Sequence, residues 1–160
     1  MRFIRYAILG SIMLMALAAA PLEALEAGDF PTPGYHVIDT AHGFGALVKR
    51  LNAAITGNGM FAVTRASASA GAAGRGLTIP GNMIIGVYRN DFALRMLEAS
   101  IPAGIEAPLI FYVTENSDGT ATLSYRAPSA TFAPYGSAAL DKMAAELDTL
   151  FAKIAADAIE

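Results

Sequence analysis

The stretch Pro80-Gly81-Asn82-Met83-Ile84-Ile85-Gly86-Val87-Tyr88-Arg89-Asn90-Asp91-Phe92 contains the change of pattern on which the fold turns. Met83–Tyr88 is continuously apolar, as in a strand near the middle of a sheet with both faces covered. From Asn90 the pattern becomes helical, with Phe92, Leu94, Met96 and Leu97 as the apolar part and Pro102 as the stop. Asn90 is a good N-cap, and Asp91 suits the positive end of a helix.

Downstream, Pro102–Pro108 reads as a loop carrying Gly104 and Glu106. Leu109–Thr114 is a second buried strand. Asn116-Ser117-Asp118-Gly119 is a hairpin turn ending in Asp-Gly. In the returning strand Ala121, Leu123 and Tyr125 alternate with Thr120, Thr122, Ser124 and Arg126, so one face is dry and the other wetter. After a Pro128–Gly136 connector, Ser137 is positioned to cap a long helix. Its apolar stripe is Leu140, Met143, Leu147, Leu150, Phe151, Ile154 and Ala158.

Upstream, Ser67–Gly76 is small and glycine-rich. It lacks the lysine and the following apolar helix of a phosphate loop, and reads as a connector. Phe61–Arg65 is a strand. Phe44, Leu47, Val48, Leu51 and Ile55 recur at helical spacing, with a start at Thr40 or His42 and an end at Gly57 or Gly59. Tyr35–Asp39 is a short strand behind an extended Phe30–Gly34 lead-in. Three amphipathic helices and five strands predict an α+β fold. It is a two-layer sandwich, with a mostly antiparallel sheet carrying the helices on one face. Tyr88, Tyr112 and Tyr125 are expected on the other face, where a second copy of the chain would bury them.

Arg2 and Arg5 precede an apolar run from Tyr6 to Ala20, broken by Pro21. A basic start, an apolar stretch and small residues behind it predict a secretory signal peptide over Met1–Ala27, with residues 28–160 as a single exported domain. The cut falls after Ala20, Ala24 or Ala27. The alternative is an uncleaved anchor in the inner membrane. Otherwise the membrane is met only during export.

Composition removes several function classes. The chain has 160 residues and a net charge of −3, and loss of Met1–Ala27 removes two basic and two acidic residues and leaves that charge unchanged. No basic stripe exists to bind nucleic acid. The absence of cysteine excludes disulfides, thiolate metal sites, thiol catalysis and covalent haem attachment.

His36 and His42 are the only histidines, too few by themselves for a metal site, so neither metal nor cofactor is expected. A histidine-based metal carrier is the weakest of the functional readings. No Gly-x-Ser-x-Gly elbow is present, and Glu106 and Glu115 read as solvated acids, so no catalytic residue is assigned.

The residues that best suit a ligand are Arg89, Asn90, Glu106 and Arg126. Backbone N–H groups at the start of a helix receive anions, and Arg89 beside them would add a forked contact. The simpler reading has Asn90 capping its helix and Arg89 pairing with Glu106 to pin the loop.

An ordered set of short motifs runs through the chain: Pro80-x-Asn82, Ile85-Gly86-Val87-Tyr88-Arg89-Asn90, Met96-Leu97, Pro102, Glu106-x-Pro108-Leu109, Asp118-Gly119 and Leu123-Ser124-Tyr125. Together they resemble domain-of-unknown-function family 302 over about Leu47 through Ile154. The resemblance implies a two-layer α/β fold, frequent dimers, many exported members and no established activity. Exported relatives often carry an Asp-His pair where this chain has Thr64-Arg65-Ala66-Ser67. They also often have a histidine where it has Pro134-Tyr135-Gly136, so a histidine-dependent role does not carry over.

The functional expectation is an exported, non-enzymatic binding or interaction module acting as a homodimer. The alternative is a small-anion or small-ligand protein, or an enzyme, using the Arg89/Asn90/Glu106 corner.

Overall fold

The computed structural model describes residues 24–160. Most of the predicted signal segment, Met1–Ala27, lies outside the described residues. Five strands, β1 (Tyr35–Gly43), β2 (Phe61–Ala66), β3 (Asn82–Tyr88), β4 (Leu109–Glu115) and β5 (Thr120–Arg126), form one sheet in the order β1-β5-β4-β3-β2. Every pairing is antiparallel. Three main helices, α1 (Phe44–Gly57), α3 (Asn90–Ala99) and α5 (Ala138–Ile159), pack on one face. Two short helices are α2 (Ala68–Ala73) and α4 (Pro128–Phe132). The two-layer α+β architecture read from the sequence is the one observed.

The core lies between sheet and helices. Leu47, Leu51 and Ile55 of α1 and Leu140, Leu147, Phe151 and Ile154 of α5 close on Ile85, Phe111, Val113 and Leu123 of the sheet. Phe151 stacks on Phe111 at 4.7 Å between ring centroids, with the Tyr125 ring tilted against both. Burial of each large side chain of this set contributes about 1.5–3 kcal/mol. The β4–β5 hairpin turns at Gly119, whose φ of 84° is the left-handed conformation glycine adopts without a Cβ penalty.

The last carbonyls of α5 receive donors from the other end of the domain. Arg50 Nε donates to Ala158 O at 2.8 Å, and His42 Nε2 lies 3.1 Å from Ile159 O. Ser137 Oγ accepts from Leu140 N at the helix start, as expected.

Several local expectations are corrected. α1 does not start at Thr40 or His42: β1 continues to Gly43, because Thr40 and Gly43 are still paired with β5. Asn90 is the first helical residue and not the cap. Arg89 occupies the cap position without a side-chain cap bond, while Asn90 Oδ1 lies 3.4 Å from the Tyr88 hydroxyl. Leu94 and Leu97 point outward, and α3 instead buries Phe92, Ala93 and Met96. The Ser67–Gly76 connector contains α2, started by Ser67 Oγ accepting from Ala70 N. Pro102–Glu106 and Ala133–Tyr135 are 3₁₀ turns, and Pro128–Gly136 contains α4.

Two corrections concern the sheet. Tyr125 is not on the uncovered face: its ring lies in the core and stacks with His36 at 4.8 Å. Met83–Tyr88 and Leu109–Thr114 are not covered on both faces, since Ile84 and Ile110 are each 39% exposed. Their unbroken apolarity marks an uncovered face that is itself apolar.

Candidate functional site

Register places the residues of the uncovered face. Val37, Ser124, Tyr112, Ile84 and Ala66 form one row across the five strands, and Tyr35 pairs with Arg126 beside it. Ile110, Gly86 and Thr64 form the neighbouring row. Gly86 leaves room for the turn that enters β4: a Cβ there would meet Pro108 Cγ at 2.8 Å. Thr122, on the same face of β5, is fully buried, with Asp39 Oδ1 at 2.8 Å and Asn116 Oδ1 at 3.0 Å from its hydroxyl.

At the Tyr35 end this face is hollowed into an open cleft of about 370 Å³. Ile84, Ile110 and Tyr112 form its floor, and Tyr35, Glu106 and Arg126 stand at its sides. Phe30, from the segment before β1, stacks on Tyr35 at 4.0 Å and 11° and extends the aromatic wall. A cleft of this size, mostly apolar with a few polar groups, suits a small ligand.

Two charges face this space. Glu106 Oε1 accepts from the Tyr135 hydroxyl at 2.7 Å. That hydrogen bond, with Glu106's negative charge, raises the Tyr135 pKa above the ordinary tyrosine value. The Arg126 guanidinium lies 5.9 Å from the Tyr35 ring centroid. Its Nε is buried and meets no acceptor among the described residues. Native proteins rarely leave a buried donor unmet.

The four residues singled out in the sequence thus separate into two pairs. Glu106 and Arg126 line the same cleft. Arg89 and Asn90 stay at the start of α3, where Arg89 forms a two-pronged ion pair with Asp91 at 2.7 and 3.0 Å and lies over the Phe92 ring at 4.3 Å. The expected Arg89–Glu106 contact is not formed, because Glu106 turns to Tyr135 and Arg89 has a carboxylate two residues away.

No local signal in the sequence makes Tyr35, Phe30 and Tyr112 neighbours of Arg126. The alternation of β5 put Arg126 and Ser124 on its wetter face, but the β1–β5 pairing that brings Tyr35 there is remote in sequence.

Among the described residues no three His, Cys, Asp or Glu side chains are grouped to hold a metal ion. His36 is stacked on Tyr125 and His42 faces the end of α5.

Comparison with known proteins adds the family. Residues 36–158 match the family described as "Domain of unknown function DUF302". The chain belongs to the DUF302 family. The crystal structure of an uncharacterized conserved protein DUF302 from Bacillus stearothermophilus is similar at a TM-score of 0.70 and 19% identity. The match covers 79% of this chain and 98% of that one. At that identity the likeness shows the fold. No curated protein matches the chain. The DUF302 match begins after Phe30 and Tyr35, so part of the cleft wall comes from residues that precede the matched span.

Proposed function

We propose that this DUF302 domain is an exported, non-enzymatic binding or interaction module that acts as a homodimer through the uncovered face of its sheet. The observation that carries the reading is a strip of exposed apolar side chains where the strands have no helix over them. Phe61 is 63% exposed, Val63, at the β2 bulge, 50%, and Ile84 and Ile110 39% each. Water-exposed clusters of this kind mark interaction surfaces.

A second copy is the occupant that fits. The β2–β3 half of the face carries Phe61, Thr64, Ala66, Ile84 and Tyr88 and no charged side chain, so two copies related by a two-fold axis meet apolar on apolar despite their like net charge. That half of the face, two strands about 4.8 Å apart and about seven residues long, gives a footprint of roughly 220 Å². That is below the roughly 600 Å² per partner of stable interfaces, so a weak dimer is expected.

The non-catalytic reading is supported by the lining of the cleft, which includes one acid, already bonded to Tyr135, and no histidine. The export reading rests on Arg2, Arg5 and the apolar run Tyr6–Ala20.

Sedimentation across roughly 1–100 µM tests the dimer. The wild type should shift from monomer to dimer, and Phe61→Asp should remain monomeric with its melting temperature unchanged. A wild type that is monomeric throughout this range refutes the homodimer. Cell fractionation with N-terminal sequencing tests export, and an intact Met1 start in the cytoplasmic fraction refutes it.

A further inference from the structure

We propose that the cleft beside Tyr35 binds a small free zwitterion with an aromatic or branched apolar body, its carboxylate on Arg126 and its ammonium on Glu106. The inference deepens the binding reading of the uncovered face and rests on it. It does not depend on the second copy, whose contact lies toward β2.

Charge sets the ligand class. Arg126 makes no ion pair within 4.0 Å among the described residues, including with Glu106 in the same cleft. The ion pairs that are formed elsewhere satisfy Arg89, Arg95 and Lys153. The Arg126 guanidinium has no carboxylate partner among the described residues, and its planar fork suits an entering carboxylate.

Glu106 has Oε1 engaged by Tyr135, whose hydroxyl holds the carboxylate in place, while Oε2 accepts no hydrogen bond from the described residues. A purely anionic ligand meets repulsion from Glu106 and a purely cationic one from Arg126. A ligand with both charges satisfies both, and unpaired charges in a partly buried site are what discriminate between close analogues. Its apolar part then covers Ile84, Ile110 and Tyr112 on the floor of the cleft.

The test uses L-phenylalanine against its two singly charged analogues, 3-phenylpropanoate and 2-phenylethylamine, with the purified protein. Titration calorimetry and amide chemical shifts in NMR give the readouts. L-Phenylalanine should bind and shift the amides of Tyr35, Ile84, Tyr112 and Arg126, with each analogue weaker by about tenfold or more. Arg126→Gln and Glu106→Gln should each weaken L-phenylalanine by a similar factor. The analogue series on the wild type keeps the test valid if either variant folds poorly.

No binding of L-phenylalanine up to about 10 mM, equal binding of either analogue, or shifts confined to another part of the domain would overturn the proposal. Phe61→Asp separates the two readings, since it should abolish dimerisation and leave L-phenylalanine binding intact.

Discussion

Gly86 sits in the middle of β3 on the uncovered face, and the structure gives a specific reason for its lack of a side chain. A Cβ built there falls against Thr64 Oγ1 and lies 2.8 Å from Pro108 Cγ and 3.2 Å from Pro108 Cβ. Thr64 is exposed and relieves its clash by rotating about χ1. Pro108 has no such freedom, because its ring is fixed on the backbone that enters β4. Gly86→Ala is therefore an overpacking substitution, which costs about 1–3 kcal/mol. The reduced entropy of the unfolded chain returns about 0.4–1 kcal/mol. The net loss is about 1–2 kcal/mol, which for a domain of this size lowers the melting temperature by roughly 4–8 °C.

Thermal and urea melts followed by circular dichroism measure this loss. A double-mutant cycle assigns it. Gly86→Ala combined with Pro108→Ala should be less destabilised than the sum of the single variants, with a coupling energy of at least about 0.5 kcal/mol. The cycle with Thr64→Ala should show a smaller coupling. A Gly86→Ala protein that melts within about 1 °C of the wild type, or an additive Pro108 cycle, would refute the close approach of Pro108 to β3.

Four further outcomes follow from individual contacts. Phe151→Ala removes the ring stacked on Phe111 and should cost about 3–5 kcal/mol in urea unfolding. Arg50→Ala removes the donor to Ala158 O at the negative end of α5, and should cost about 1–2 kcal/mol with amide exchange rising first in the last turn. Hydrogen bonds from Arg89, Arg95 and Lys153 hold the carboxyls of Asp91, Glu146 and Asp157 below their ordinary pKa values. The unfolded chain then binds more protons, so this stability is present above the ordinary carboxylate range and is lost as pH falls through the native values. The urea midpoint should decline between about pH 5 and pH 3, less steeply in Glu146→Gln/Asp157→Asn. Tyr135 has the opposite sign, since its raised pKa gives stability below the ordinary tyrosine value that is lost as pH rises through the native one. Glu106→Gln should bring its phenolate absorbance in at lower pH.

The periodic signals in the sequence were local, and they were sufficient for the layers. Leu47, Leu51 and Ile55 in one run, and Leu140 through Ile154 in another, fix two helices and their buried faces because helical neighbours are three or four residues apart. Asp118-Gly119 fixes the β4–β5 hairpin for the same reason. Short helices such as α2 escape this reading, because Ala68–Ala73 has small residues and no apolar face to repeat.

Leu94 and Leu97 belong to the apolar set of α3 but not to its buried face: a ten-residue helix samples few turns, and only its packing against α5 shows which apolar residues face inward. The continuous apolarity of Met83–Tyr88 suits double burial and an exposed apolar face equally, and Ile84 shows that the second holds.

The sequence by itself determined the α+β class, the order of the main elements and the DUF302 resemblance, all of which depend on spacing along the chain. Only the tertiary structure decided that Arg126 stands beside Tyr35 and shares a cleft with Glu106 while Arg89 turns to Asp91. Those neighbours come from the pairing of β1 with β5 and the placement of the 3₁₀ turn before β4, contacts between residues remote in sequence that no local periodicity encodes.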